Sequence, residues 1–173
     1  MDKDSAHALS WVIEDAVIDL IACSKFYREC DEKGNDPFNN KYHLGLLRMC
    51  HSTAIVTLSK LSEAFNGFGK EINKCPDDLA SRVRTIKIKI EKSGVYSFRS
   101  KYTAHVFDGK TKMPLDLHVG YKALTKIVGE NPSEVLQFYT WLFSPHETTN
   151  DVVSVLVDLN DYVSKYTDRK TRY

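Results

Sequence analysis

The sequence predicts an all-α fold, a single-domain up-and-down bundle of about five to six helices with two long antiparallel helices at its N-terminal end. Three observations predict it. Apolar residues recur at steps of three and four through most of the chain, the period that gathers one stripe along a helix. Glycine and proline cluster at the ends of those periodic stretches, where they stop helices. The one alternating segment, Ile86-Lys87-Ile88-Lys89-Ile90, has no second alternating segment nearby to pair with.

The first stripe is Leu9, Val12, Ile13, Ala16, Val17, Leu20, Ile21 and Tyr27, and it predicts a helix from about Ser5 to Lys33. Asp4 or Ser5 is placed to cap its start by accepting from an unpaired backbone N–H. Gly34-Asn35-Asp36-Pro37 supplies the residues that end it. Leu47, Cys50, Ala54, Leu58, Leu61 and Phe65 repeat the pattern, so a second helix fills about Asn40 to Asn66 and ends at Gly67-Phe68-Gly69. At 1.5 Å per residue each rod would be about 40 Å long, and a short connection between two such rods makes them antiparallel.

Pro76, followed by Asp77 and Asp78 near the positive end of the dipole, opens a third helix with the stripe Leu79, Val83, Ile86, Ile90. That series extends the helical period back from the alternating segment, so helix is preferred to strand, and Ser93-Gly94 breaks it. A linker ending at Met113-Pro114 leads to a fourth helix carrying Leu117, Tyr121, Leu124, Ile127 and Val128. Asn131-Pro132-Ser133-Glu134 reads as N-cap, first-turn proline and N3 acid of a fifth, which stops before Ser144-Pro145. Val152, Val155, Leu156, Leu159, Val163 and Tyr166 form the last, and the polar tail from Thr167 is expected to fray.

With 173 residues, 42% of them apolar, the chain can bury a core without disulfide or metal. Its apolar runs are far shorter than the roughly 20 residues of a membrane span or the 7–15 of a secretory leader, so a cytoplasmic protein with no membrane contact is expected. Cys23, Cys30, Cys50 and Cys75 form no C-x-x-C pair and read as thiols of a reducing compartment. The net charge of +1 hides an asymmetry: residues 1–36 carry nine acids against four bases, whereas Arg82 to Lys101 holds seven bases against Glu91 alone. A local field of that sign attracts a polyanion, although most charge runs are solvated helix faces.

Several chemistries lack their residues: there is no Gly-rich phosphate loop, no H-E-x-x-H and no G-x-S-x-G. His43 and His51 stand eight apart, off adjacent turns, and read as core or surface residues. The segment Arg99-Ser100-Lys101-Tyr102-Thr103-Ala104-His105, followed by Asp108, is different. Arginine is always charged and clamps a phosphate with its planar fork, while histidine gives or takes a proton near neutrality. Together they are the minimum set for cleaving RNA through its own 2′-hydroxyl.

This stretch resembles the R-x(4–6)-H signature of the higher-eukaryote-and-prokaryote nucleotide-binding (HEPN) superfamily, and most of all its AbiU-like abortive-infection branch, whose motif reads like R-[ND]-K-x-x-A-H-x-D. Ser100 stands where that pattern has Asn or Asp, and Asp108 is displaced by one position. The order of two long helices, a third, the motif and further helices is similar to the family's bundle. The resemblance implies a metal-independent endoribonuclease without cofactor, acting as a homodimer in phage defence or with a cognate antitoxin. It implies that Arg99 and His105 are catalytic. Ser100 and Asp108 would orient them, Lys101 would hold flanking phosphates, and Tyr102 would stack on a base or pack. Two other readings stay open: a non-catalytic helical module that binds RNA or a partner protein, and a polar pair that only fixes the bundle.

Overall fold

The computed structural model describes residues 1–32, 40–103, 116–145 and 150–167. It is an all-α helical bundle: α1 (Lys3–Glu32), α2 (Lys41–Gly67), α3 (Gly69–Ile72), α4 (Asp77–Ser93), α5 (Val95–Phe98), a π-helical turn (Arg99–Thr103), α6 (Leu117–Val128), α7 (Pro132–Leu142) and α8 (Val152–Ser164). The six periodic stretches of the sequence are the six longer helices. The expected break at Gly34-Asn35-Asp36-Pro37, the Met113-Pro114 end of the linker and most of the polar tail lie outside the described residues.

Local chemistry sets the ends. Asp2, not Asp4 or Ser5, caps α1: its Oδ1 accepts from the Ser5 amide at 2.9 Å, three residues on, where an N-cap side chain reaches. That backbone hydrogen bond lowers the Asp2 carboxyl below its ordinary pKa. Asn40 caps α2, Asp116 caps α6 and Asp151 caps α8, each accepting from amides of the first turn. At α7, Asn131 Oδ1 accepts from the Glu134 amide at 3.0 Å and Glu134 Oε2 accepts from the Glu130 amide at 2.7 Å, a near-reciprocal box around Pro132.

The core gathers Leu9, Ile13 and Leu20 of α1, Ile55, Leu58 and Leu61 of α2, Val83 and Ile90 of α4, and Leu156 and Leu159 of α8, all below 2% exposed. α1 packs on α2, α2 on α4, α4 on α8, and α8 on α1, so four helices close a ring around this core. α1 and α2 are antiparallel, as expected. Thr57 Oγ1 donates to Asp19 Oδ2 at 2.8 Å across their contact.

Two short pieces and the π turn were not predicted. The sequence suggests a linker after Gly94, yet its first nine residues are helical. Four- and five-residue segments are too short to show a period, and α5 is held on the bundle by Val95, only 1% exposed, with Phe98 packed beside it.

Candidate functional site

Gly94 closes α4 with φ 82°, a left-handed conformation that a side chain disfavours, and redirects the chain into α5. The π turn follows at once. A π turn is wider than an α turn, and such turns recur where side chains must be re-aimed. Here Arg99 and Tyr102 lean toward the bundle, while Ser100 and Lys101 are exposed.

Arg99 reaches back to α2. Its Nη1 donates to Glu63 Oε1 at 2.5 Å and to Ser59 Oγ at 3.2 Å. Ser59 and Glu63 are one helical turn apart, so a single guanidinium nitrogen bridges both. Ser59 is wholly buried, whereas the Arg99 and Glu63 side chains are 36% and 53% exposed. The head group therefore sits at the rim of the bundle, anchored on its inner side and open to solvent on its outer side. An ion pair this exposed adds at most about 1 kcal/mol to stability, so its main effect is to fix where the guanidinium stands.

Tyr102 packs. Its ring centroid lies 5.3 Å from that of Phe98, and a Cβ placed on Gly120 of α6 would come within 3.0 Å of its ring. The aromatic ring is a wedge between α5 and α6. His105 and Asp108 lie outside the described residues.

The basic run is less free than the sequence suggests. Arg82 pairs with Asp158 at 2.7 Å and with Asp78 at 3.8 Å, Arg84 donates to Asn73 at 2.7 Å, and Lys87 pairs with Glu91 at 3.3 Å. Lys89 stands over the Trp141 ring at 4.1 Å, and partial burial lowers its pKa. Lys92 and Lys101 are exposed. On the other side of Glu63 an open groove of about 460 Å³ runs between α1 and α2, with Asp15, Asp19 and Lys60 on its walls. Its ionisable lining is Asp15, Asp19 and Glu63 against Lys60.

Sequence reasoning missed Ser59 and Glu63. Both lie 36 or more positions from Arg99, and no spacing links them. The available hint was a serine set beside the apolar stripe of α2 with an acid four residues on. Among the described residues no cluster of three or more His, Cys, Asp or Glu is placed to hold a metal, and no helix is long and apolar enough to cross a membrane. Compared with protein-family models, with curated proteins and with solved structures, the chain matches none.

Proposed function

We propose that this protein is a metal-independent endoribonuclease of the HEPN type, working as a cytoplasmic homodimer in phage defence or in a toxin–antitoxin pair. One observation carries the reading. The arginine of the R-x5-H motif is held at the bundle rim by Ser59 and Glu63, about a third of it open to solvent, beside exposed Ser100 and Lys101. An arginine needed only for packing gains nothing from such an outlook. In this reading Arg99 binds the scissile phosphate and stabilises the charge that builds on it, and Glu63 keeps the fork aimed until phosphate arrives. His105 moves a proton at the 2′ or 5′ oxygen, Lys101 holds a flanking phosphate, and Ser100 and Asp108 orient the pair.

The test is incubation of the purified protein with single-stranded RNA in excess EDTA. Cleavage leaving 2′,3′-cyclic phosphate ends, with DNA spared because it lacks the nucleophile, is expected. Arg99→Ala is expected to slow cleavage roughly a hundred-fold or more, and His105→Ala to abolish it. Since the Arg99 pair is exposed, Arg99→Ala should melt within a few degrees of wild type.

A second reading has its own observation. Glu63 already neutralises Arg99, which suits a module that docks a partner such as an antitoxin without chemistry. Folded wild-type protein that leaves several RNAs intact, yet binds them or a partner through Arg99, would establish that reading.

A further inference from the structure

The helical segment from Val95 to Thr103 sorts its residues onto two faces. Val95, Phe98, Arg99 and Tyr102 are buried or partly buried on the bundle side, whereas Tyr96, Ser97, Ser100 and Lys101 are exposed. The Arg99 amide donates to the Val95 and Tyr96 carbonyls, so Tyr96 and Arg99 share one turn, and Ser100 stands one turn on from Tyr96 on the outer face. Tyr96 is 65% exposed. A lone exposed tyrosine is ordinary. This one lies within a run, Lys92 to Lys101, that holds three bases and no acid, on the turn that carries the motif arginine. The acid that meets this run from α2 is Glu63, already engaged with Arg99.

We propose that Tyr96 is a nucleobase-binding site, its ring stacking on an unpaired base of the single-stranded RNA whose phosphate Arg99 holds, with Lys92 and Lys101 on flanking phosphates. The site rests on the ribonuclease reading and names the part of the substrate that reading leaves open. Stacking on an aromatic face accepts any base, because every base has a flat face, but it requires that base to be out of a duplex. The site therefore selects single strand over double strand and is tolerant of sequence. The hydroxyls of Ser97 and Ser100 stand on the same outer face, where they can donate to or accept from a base edge. Tyr102, the other tyrosine of the segment, is wedged against Phe98 and Gly120, so Tyr96 is the ring this segment turns to solvent. Tyr42 is as open, at 70%, but it stands at the start of α2, about 25 Å along that helix from the Ser59 that holds Arg99, beyond the reach of a neighbouring nucleotide.

The experiment is fluorescence anisotropy of the full chain with a short labelled RNA of mixed sequence, 2′-O-methylated so that it binds without being cut, alone and annealed to its complement. Wild type is expected to bind the single strand more tightly than the duplex. Tyr96→Ala should raise the single-strand Kd roughly five-fold or more, the loss of one stacked base, and leave the duplex Kd within about two-fold. Tyr96→Leu, apolar but not aromatic, should lose as much, whereas Tyr96→Phe keeps the ring and the affinity. Tyr42→Ala, equally exposed and remote, should bind as wild type does. All of these positions are solvated, so the variants should melt with wild type. Equal single-strand Kd values for wild type and Tyr96→Ala would overturn this proposal alone and leave the exposed ring to a protein partner. An equal loss on single strand and duplex, or a matching loss in Tyr42→Ala, would also overturn it. A folded wild type that binds neither RNA would overturn the ribonuclease reading and the site with it.

Discussion

A neutral histidine is built into the core at position 51. His51 is 8% exposed on α2, and its Nδ1 lies 2.8 Å from the hydroxyl of Tyr139, which is wholly buried on α7. Tyr27 stacks on Tyr139, with centroids 4.5 Å apart. Burial lowers the His51 pKa to about 4, from an ordinary 6.5. The unfolded chain therefore binds a proton that the folded chain refuses between those values, and stability rises with pH across that window. The contribution is complete above pH 6.5 and is lost as pH falls through 4, about 3 kcal/mol in all. Denaturant melts of wild type and His51→Gln at pH 7.5, 5.5 and 4.5 check it: the difference between the two should shrink or reverse in acid, and a constant difference would remove the charge-burial argument. The sequence placed His51 as a core or surface residue. It could not show Tyr139, 88 positions away, and for the same reason it could not show what holds Arg99.

Turns between helices divide by what surrounds them. Gly94 and Gly129 both have positive φ, at 82° and 112°, so a side chain strains either one. At Gly94 a Cβ would meet nothing within 4 Å, and Gly94→Ala should cost about 1 kcal/mol, the backbone penalty alone. At Gly129 a Cβ would come within 2.7 Å of the Val135 amide nitrogen in the first turn of α7, which cannot yield without moving the helix. Gly129→Ala should therefore lose more than about 2 kcal/mol, and equal melting temperatures for the two variants would contradict this ranking. The six longer helices were legible because each carries an apolar period over several turns, which five of them bury while α6 fully buries only Val128, and their caps are short-range signals such as Asn131 with Glu134. The π turn was not legible. Its geometry depends on how Val95 and Tyr102 seat against other helices, and that long-range packing leaves no period in five residues.

The ring of α1, α2, α4 and α8 is complete without the π turn, which packs against α2, α5 and, through Tyr102, α6. Changes at Arg99 are thereby separated from the core, and its chemistry can be tested without unfolding the molecule. One chain supplies one Arg99 and one His105, yet attack by a 2′-hydroxyl requires one proton removed and another delivered. A two-fold assembly that brings two motifs to one cleft provides both from a single sequence, and self-complementary dimers are the commonest oligomers. In the proposed ribonuclease the Lys101 side of the π turn is the surface expected to face that axis, since the groove bordered by Glu63 carries Asp15 and Asp19 against Lys60 and suits a polyanion less. Light scattering at micromolar concentration should then report a dimer. Cleavage per chain should fall as the protein is diluted through the dimer dissociation constant, because each separated chain carries half a site. Lys101→Glu, which turns a charge that attracts phosphate into one that repels it, should weaken RNA cleavage while leaving the dimer and the melting temperature essentially unchanged. A monomer whose specific activity is constant on dilution would show that one copy suffices, and the two-fold site would be excluded.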